Sequence, residues 1–292
     1  NMLMKDVLYK GGVLMEKNKM VAPVVKWVGG KRQLLAELTP LFPKKISIYC
    51  EPFIGGGAVL FSKQPGTAYI NDVNSDLINI YEVIKDNVEE LISSLQKHKN
   101  ESEYFYKIRD FDRNHKEFTK LSNIEKASRM LYLNKTCYNG LYRVNNAGEF
   151  NSPFGSYKNP NIVNAPTLRA VNKYFNEAEI YISNVDYSEV LHKIPKESFV
   201  YLDPPYDPVS ATSNFTGYTK GGFDREEQIR LRECCDQLDD RGIKFMLSNS
   251  ATDFIKEQYS KYFINTVKAK RAINSVASKR GDIDEVVIRN YE

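Results

Sequence analysis

The sequence has few of the residues that usually bind metal ions or build disulfide frameworks. Its 292 residues include three histidines and four cysteines. The histidines are scattered and no two cysteines form a CxxC pair, so neither a metal site nor a disulfide framework is predicted. Reduced thiols in a cytoplasm are the simplest account of the cysteines. These are Cys50, Cys137, Cys234 and Cys235.

Long apolar runs are missing too. A membrane span needs about 20 apolar residues, and no such stretch occurs, so no membrane span is predicted. Residues 1–19 are too polar for a signal peptide, and residues 1–22 are interpreted as a loose tail. The net charge is only +4 at pH 7. This mild excess is compatible with a polyanionic partner but does not identify one.

Residues 199–206 join a strand to a rigid turn. Four strand-forming residues run directly into the turn, which consists of Asp203, Pro204, Pro205 and Tyr206. The prolines fix φ at about −65° and end the strand. Ligands of open α/β sheets bind at this carboxyl edge, where a carboxylate, carbonyls and an aromatic ring suit a planar ring that carries an amine. Taken alone, the turn fits equally well with Tyr206 packed in the core.

A glycine loop between two predicted strands is typical of a nucleoside-binding unit. Residues 47–53 form the first strand, residues 54–61 the glycine loop and the start of a helix, and residues 68–72 the second strand, which ends in Asp72. This order places a carboxylate near the hydroxyls of a bound ribose. Asp72 also fits a second role, as the N-cap of the helix that begins near Asn74.

The only tryptophan precedes a Gly-Gly-Lys turn. Residues 24–31 read VVKWVGGK, and a helical pattern follows them. A phosphate-binding P-loop needs an earlier glycine and a Ser or Thr after the lysine, whereas Arg32 follows Lys31 here. Nucleoside triphosphate binding is therefore disfavoured. For this segment alone, a turn with a structural tryptophan is the default interpretation.

A change of pattern in the middle of the chain indicates an insert. Residues 74–164 contain apolar residues at helical spacing and then a polar, aromatic and basic hairpin-like region at residues 137–158. Its Tyr, Asn and Arg side chains can stack on bases, bond base edges or hold phosphates, although alone an exposed hairpin with structural tyrosines explains it better. Strand–helix alternation then resumes. We therefore predict a catalytic domain of residues 23–73 and 165–292, interrupted by a mainly helical insert of residues 74–164.

The carboxyl-terminal part carries further strands and two candidate contact loops. Strands are predicted at residues 179–182, 199–202 and 244–247, and a final hairpin at 263–267 and 285–288. The loop of residues 207–223 is long enough for a mobile lid. The loop inside the final hairpin carries basic residues that would contact phosphates near a DNA groove. They are Lys268, Lys270, Arg271, Lys279 and Arg280.

Five motifs follow one another along the chain. They are KWVGGK at residues 26–31, PFIGGG at 52–57, ND at 71–72, YNGLYR at 138–143 and DPPY at 203–206. In these motifs and in their order, the chain resembles the α group of Dam-type, D12-class DNA adenine-N6 methyltransferases over about residues 23–291. Its insert looks most like that of members that modify GATC, although the chain departs from many relatives at Ser152, where they carry valine.

The resemblance implies an α/β fold, namely a Rossmann-like S-adenosylmethionine-dependent methyltransferase sheet of seven strands with a mainly helical DNA-recognition insert. It implies S-adenosylmethionine as cofactor and duplex DNA as partner. The methyl group would go to N6 of a flipped-out adenine in GATC. The setting would be cytoplasmic, on chromosomal DNA, with neither metal nor membrane, and a monomer is compatible with the sequence.

By motif, the resemblance assigns three sets of residues. The catalytic turn is Asp203, Pro204, Pro205 and Tyr206. The cofactor-binding set is Trp27, Lys31, Phe53, Gly55, Gly57, Asp72 and Asp203. The DNA-binding set is Lys26, Tyr138, Asn139, Leu141, Arg143 and Pro153. In the last set, Tyr138 matches a residue that enters the base stack, and Arg143 matches the reader of the guanine before the adenine.

Other functions stay open at this point. An RNA adenine methyltransferase shares the sheet and an acid-Pro-Pro-aromatic turn, and a protein-glutamine methyltransferase usually has Asn in place of Asp203. An inactive DNA-binding regulator on the same fold is the alternative from another class. The intact Asp203, Tyr206 and glycine loop favour an active enzyme, and the insert favours DNA as its substrate.

Overall fold

The computed structural model describes residues 7–10, 13–209, 222–270 and 282–292. Nine strands occur in these ranges: β1 (Val7–Lys10), β2 (Val13–Glu16), β3 (Ile48–Glu51), β4 (Thr67–Asn71), β5 (Glu179–Ser183), β6 (Ser198–Leu202), β7 (Lys244–Ser250), β8 (Phe263–Lys270) and β9 (Asp282–Arg289).

The same ranges hold eleven α-helices. They are α1 (Leu35–Leu38), α2 (Ala58–Lys63), α3 (Ser75–Asp86), α4 (Val88–Leu95), α5 (Ser102–Arg109), α6 (His115–Phe118), α7 (Asn123–Thr136), α8 (Ala165–Glu177), α9 (Tyr187–Lys193), α10 (Arg225–Asp240) and α11 (Asp253–Gln258). Short 3₁₀ helices lie at Lys31–Gln33, Thr39–Leu41, Asp110–Arg113 and Tyr138–Gly140.

Seven strands form one sheet, in the order β5-β4-β3-β6-β7-β9-β8. The first five strands in this order run parallel to one another: β5, β4, β3, β6 and β7. Strand β9 runs antiparallel to both of its neighbours, β7 and β8. The predicted seven-stranded α/β sheet is thus confirmed. Each strand predicted between residues 47 and 288 overlaps a strand of this sheet.

Strand β6 is buried along its whole length, as expected of a central parallel strand that is covered on both faces. Phe199 and Tyr201 pack in one hydrophobic cluster, and Val200 and Leu202 pack in another. Because successive strand residues point to opposite faces, the sheet has a hydrophobic core on each side.

The direction of the strand order changes between β3 and β6. From β3 the chain continues to β4 and β5 on one side, whereas from β6 it continues to β7 on the other. The crevice outside the carboxyl ends of two such strands is the usual ligand site of an open α/β sheet. The segments that leave these two ends are the glycine loop and the Asp203–Tyr206 turn, so the topology brings both to one crevice.

The chain between β4 and β5 is mainly helical. Helix α7 packs against α3, α4 and α5, while α3 also packs against α8 and β5. Ser122 and Glu125 form a capping box at the start of α7. After α7, the pairs Cys137–Phe154 and Val144–Phe150 are antiparallel bridges. The segment of residues 137–158 is called the 137–158 hairpin below.

Residues 1–22 are predicted to form a loose tail, but the described part of this segment contains two strands, because residues 7–10 and 13–16 pair with each other. Strands β1 and β2 form a separate two-stranded antiparallel sheet, with Val7 opposite Glu16. The main sheet does not include these strands.

Several predictions concern residues beyond the described ranges. Most of the proposed lid, residues 210–221, and three of the basic residues, Arg271, Lys279 and Arg280, lie outside them. In the part of the chain that is described, no helix combines the length and apolar character that crossing a bilayer requires. Nor do three or more His, Cys, Asp or Glu side chains of that part gather at a point where they could hold a metal ion.

Candidate active site

Buried amide side chains hold the turn that follows β6. The Nε2 of Gln228 donates a hydrogen bond to the carbonyl of Pro205 (2.8 Å), and the Oδ1 of Asn249 accepts one from the Asp207 amide (3.0 Å). The Nδ2 of Asn249 also donates to Oε1 of Gln228 (3.0 Å). Both side chains are almost fully buried, where unpaired amides would be costly, so these bonds fix the turn. Neither residue was predicted from the sequence to support the turn, although a polar residue such as Asn249 at the end of a buried strand indicates a place near the ligand edge of the sheet.

Lys31 joins the KWVGGK segment to this turn. Its Nζ lies 2.8 Å from Oδ1 of Asp203 and donates a hydrogen bond to the carbonyl of Gly29 (2.7 Å). The same atom lies over the Tyr206 ring, 4.6 Å from its centroid. The side chain of Lys31 is 4% exposed and that of Asp203 is 19% exposed. The Lys31 ammonium thus donates to the Asp203 carboxylate and at the same time lies against the Tyr206 ring.

Tyr206 is part of this polar site. It is partly exposed and belongs to neither hydrophobic cluster of the described residues. Its hydroxyl donates a hydrogen bond to Oε2 of Glu285 on β9 (2.7 Å). Glu285 was not predicted from the sequence as a partner of Tyr206, because it lies 79 residues further along the chain.

Burial raises the pKa of the Asp203 carboxyl to about 6, because a desolvated carboxylate is disfavoured. The Lys31 ammonium opposes this rise, and the Glu285 carboxylate adds to it. Glu51, at the end of β3, accepts a hydrogen bond from the Tyr49 hydroxyl (2.7 Å). It is 2% exposed, and burial raises its pKa well above the usual range. Glu51 was not predicted from the sequence as a neighbour of Asp203.

The glycine loop packs against Trp27. Gly55 and Gly57 have φ values of 48° and 69°, which strongly favour glycine. A Cβ atom on Gly55 would lie 2.9 Å from Cδ1 of Trp27, so only glycine permits this approach. The Gly55 amide donates to Oδ2 of Asp72 (3.0 Å), and the Gly55 carbonyl accepts from the Tyr81 hydroxyl (2.6 Å). Trp27, Gly55 and Asp72, which are all predicted to bind the cofactor, are therefore neighbours in the structure.

Asp72 does not cap helix α3, so the capping interpretation is wrong. The N-cap is Asn74, whose side chain accepts a hydrogen bond from the Leu77 amide (3.0 Å). Oδ1 of Asp72 instead accepts a hydrogen bond from the Asn74 amide, which precedes the helix (3.0 Å). Burial raises the pKa of Asp72 to about 6. The carboxylate is thus placed at the glycine loop.

Phe53 lies just beyond the carboxyl end of β3. Its ring centroid is 5.0 Å from that of Tyr187 and 5.9 Å from that of Phe223. It is partly buried and packs at the border of the second hydrophobic cluster. Phe53 therefore forms an aromatic wall beside the glycine loop.

Asn134 ties the KWVGGK segment to the 137–158 hairpin. Its Oδ1 accepts a hydrogen bond from the Lys26 amide (2.8 Å). Its Nδ2 donates hydrogen bonds to the carbonyls of Lys26 (2.8 Å) and Gly140 (3.1 Å). Asn134 is fully buried, whereas Lys26 is exposed. Lys26 therefore lies beside the hairpin that carries the other predicted DNA-binding residues. Asn134 was missed because its partner is 108 residues away.

The predicted contact residues of the hairpin lie close together. The Tyr138 amide donates to the Pro153 carbonyl (2.8 Å), and the Tyr138 side chain is 57% exposed. Asn139 has a φ of 56°, in the left-handed region. The carbonyl of Leu141 accepts a hydrogen bond from Oγ of Ser152. Because Ser152 is fully buried, serine in place of valine changes the interior of the hairpin and not its surface.

Arg143 is exposed on the same hairpin, and Asn151 holds its guanidinium group through a hydrogen bond from Nε to Oδ1 (2.7 Å). Asp112 anchors the hairpin, because its Oδ2 accepts the Phe150 amide (2.9 Å). Asp112 also lies 2.8 Å from the guanidinium of Arg129. Neither Asp112 nor Asn151 was identified from the sequence.

Comparison with known proteins agrees with these motifs. The model of the D12 class N6 adenine-specific DNA methyltransferases matches residues 27–273. The type II methyltransferase M1.LlaDCHI of Lactococcus lactis subsp. cremoris is 44% identical, over 95% of this chain and 99% of its own. The type II methyltransferase M.MjaIII of Methanocaldococcus jannaschii is 42% identical, over 93% of this chain and 99% of its own.

The DNA adenine methylase of Escherichia coli K12 is 35% identical, over 94% of this chain and 95% of its own. These matches span nearly the whole of both chains, so they include the sheet, the site and the helical segment together. The chain therefore belongs to the D12 class of N6 adenine-specific DNA methyltransferases.

Proposed function

We propose that this DNA adenine-N6 methyltransferase extrudes its target adenine from the duplex, binds it at the Asp203–Tyr206 turn and modifies the adenine of GATC. The observation that carries the proposal is the Asp203 carboxylate, which lies 2.8 Å from an ammonium group that is itself over the Tyr206 ring. The site therefore accepts a hydrogen-bond donor at Asp203 and a group packed on the Tyr206 ring. Adenine can fill both positions, because its amine donates hydrogen bonds and its flat ring can stack.

Base extrusion is needed because an amine inside a duplex cannot reach the crevice. Unstacking and unpairing one base costs a few kcal/mol. Stacking of the adenine on Tyr206 would recover about 1–3 kcal/mol. The hydrogen bond from Tyr206 to Glu285 (2.7 Å) holds the ring, so the stacking surface is fixed before the base arrives.

The glycine loop and its neighbours fit S-adenosylmethionine. Close packing on Trp27 excludes any side chain at Gly55, so the loop at the end of β3 can approach a ligand closely. Asp72 supplies an acceptor for ribose hydroxyls at the end of β4. When bound, the cofactor supplies an electrophilic sulfonium methyl group. The residues that would hold it are Trp27, Lys31, Phe53, Gly55, Gly57, Asp72 and Asp203.

Asp203 and Pro204 act on the amine. The lone pair of the adenine N6 is delocalised into the ring, which makes this nitrogen a poor nucleophile. Hydrogen bonds from its two N–H groups to the Asp203 carboxylate and the Pro204 carbonyl would favour a tetrahedral nitrogen with a free lone pair. Catalysis then depends on positioning and on electrostatics. The proton that the nitrogen loses moves to the Asp203 carboxylate, which is its hydrogen-bond acceptor.

The 137–158 hairpin would supply the sequence preference. Tyr138 would enter the base stack and Arg143 would contact a guanine, and the exposure of both side chains supports these roles. A bidentate arginine–guanine contact contributes about 1–3 kcal/mol of discrimination. The residues proposed to contact DNA are Lys26, Tyr138, Asn139, Leu141, Arg143 and Pro153.

The cellular setting that we propose is the cytoplasm, with chromosomal DNA as the substrate. The matching relatives come from bacteria and an archaeon, which supports a prokaryotic or phage-encoded enzyme of this kind. Such cells keep their DNA in the compartment where the protein is made.

Transfer of labelled methyl groups from S-adenosylmethionine tests the proposal. We expect incorporation into a duplex that contains GATC, and little into the same duplex with GATC changed to GTTC. RNA of the same sequence should stay unlabelled. Equal labelling of both duplexes would contradict GATC preference, and labelling of RNA would contradict the DNA interface.

The rate should fall in acid because Asp203 must be ionised to accept the amine. Its pKa is raised to about 6, so the carboxylate form dominates above that pH and is lost below it. We expect kcat/KM for the GATC duplex at saturating cofactor, which reports ionisations before the duplex binds, to fall about tenfold per pH unit below pH 6. The pKa of Asp72 is also about 6, but Asp72 should act on KM for the cofactor, which saturating cofactor suppresses. Asp72→Asn should therefore keep the acid limb of kcat/KM for the duplex, and a flat kcat/KM down to pH 5 would contradict the assignment.

A further inference from the structure

Asn151 restricts the guanidinium group of Arg143. The Nε of Arg143 donates to Oδ1 of Asn151 (2.7 Å), and Nη2 donates to the Asn151 carbonyl (3.1 Å). In the opposite direction, the Asn151 amide donates to the Arg143 carbonyl (2.9 Å). A free surface arginine samples many rotamers. Two hydrogen bonds to Asn151 hold the guanidinium group in one orientation, and the backbone bond fixes the two residues opposite each other.

The bonds to Asn151 leave one edge of the guanidinium group available. The group carries five N–H donors in a planar fork. Asn151 takes the Nε–H and one N–H of Nη2, which together form the side of the fork. Within the described ranges no acceptor is bonded to Nη1 of Arg143, so the pair of donors at the end of the fork remains. A pair of adjacent donors is what a bidentate contact with O6 and N7 of guanine requires.

Buried groups fix the backbone next to Asn151. The amide of Phe150 donates to Oδ2 of Asp112 (2.9 Å), and its carbonyl accepts from Nη2 of Arg113 (2.7 Å). Asp112 lies 2.8 Å from Arg129, and these side chains are 10% and 8% exposed. The position of Asn151 is therefore set by the helical body of the insert and not by the hairpin alone.

We propose that Asn151 is a specificity-determining residue, which aims the Arg143 guanidinium at the base that precedes the target adenine. The inference rests on the proposed function, in which Arg143 reads a guanine at that position. A side chain that is oriented before binding loses less entropy when the contact forms. Asn151 acts through Arg143, so it is a positioning residue.

The test compares kcat/KM for duplexes with guanine and with adenine before the target adenine. Arg143→Ala should lower this ratio about 5- to 150-fold, the loss of one bidentate contact. Asn151→Ala should lower it about 3- to 10-fold, the loss of one hydrogen bond that holds the arginine. In the Arg143→Ala background, Asn151→Ala should leave the ratio unchanged, because no guanidinium remains to be aimed.

Two further variants serve as controls. Asn151→Asp keeps an acceptor at the same place, so the ratio should stay within about twofold of the wild type while all duplexes bind more weakly because of the added negative charge. Asn146→Ala changes an exposed asparagine of the same hairpin that makes no hydrogen bond among the described residues, and it should leave the ratio unaltered.

The outcomes separate this inference from the proposed function. An unchanged ratio in Arg143→Ala would overturn both the assignment of Arg143 and the role of Asn151. A lowered ratio in Arg143→Ala with an unchanged ratio in Asn151→Ala would overturn the role of Asn151 alone. Additive losses in the double variant would also overturn it, because Asn151 would then act independently of Arg143.

Discussion

Replacement of Asp203 by Asn should lower kcat for methyl transfer by about 10²- to 10³-fold, the usual loss when one preorganised electrostatic group is removed from an active site. The amide has the same shape, but it carries no charge and can accept no proton from the amine. Its NH₂ group would also face the Lys31 ammonium, which now lies 2.8 Å from Oδ1 of Asp203.

Single-turnover rates with saturating cofactor and GATC duplex measure this loss. DNA affinity should change little because the side chain keeps its shape. The unfolding temperature should fall, because the buried Lys31 ammonium loses its counter-ion, so rates are compared at a temperature where both proteins are folded. Asp86→Asn is the matched control, since Asp86 is an exposed aspartate whose side chain makes no hydrogen bond or ion pair in the described part of the chain. A kcat within threefold of the wild type in Asp203→Asn would contradict the role of this carboxylate.

Replacement of Asp112 by Ala should lower the free energy of unfolding by about 3–5 kcal/mol, because it removes one partner of a buried ion pair. Asp112 and Arg129 are 2.8 Å apart, with 10% and 8% of their side chains exposed. The variant would leave the Arg129 charge buried without a counter-ion and the Phe150 amide without its acceptor.

Urea denaturation of the full chain measures this change. Asp110→Ala is the matched control two residues away, because Asp110 is 49% exposed and pairs with Arg109 at the surface. Exposed pairs contribute about 0–1 kcal/mol, so the control should unfold nearly as the wild type does. Equal effects of the two substitutions would show that the Asp112–Arg129 pair has no special role in holding the hairpin.

The strands and the central turn could be predicted from the sequence because their signals are local. Apolar residues at strand spacing, two consecutive prolines and a glycine loop act through neighbouring residues, and the strand predicted at residues 199–202 corresponds to β6 at Ser198–Leu202. Motif order then placed Lys31 and Asp203 in one site. It could not reveal that the two side chains pair directly at 2.8 Å, because that depends on packing between distant segments.

The supporting residues could not be predicted, since each acts on a partner that is remote in the chain. Glu285 contacts a tyrosine 79 residues away, Asn134 contacts a backbone 108 residues away, and Asp112 contacts an amide 38 residues away. A polar residue in a helix or a strand usually points to solvent, so nothing local marks these three as supports of the turn and the hairpin.

The central claim is that the Asp203–Tyr206 turn binds an extruded adenine beside the methyl donor. A crystal structure with a GATC duplex and an unreactive cofactor analogue tests it most directly. We expect the target adenine outside the base stack, with its ring against Tyr206 and its amine about 3 Å from the Asp203 carboxylate and the Pro204 carbonyl. A target adenine that stays paired in the duplex, with the cofactor analogue bound far from the turn, would contradict the claim.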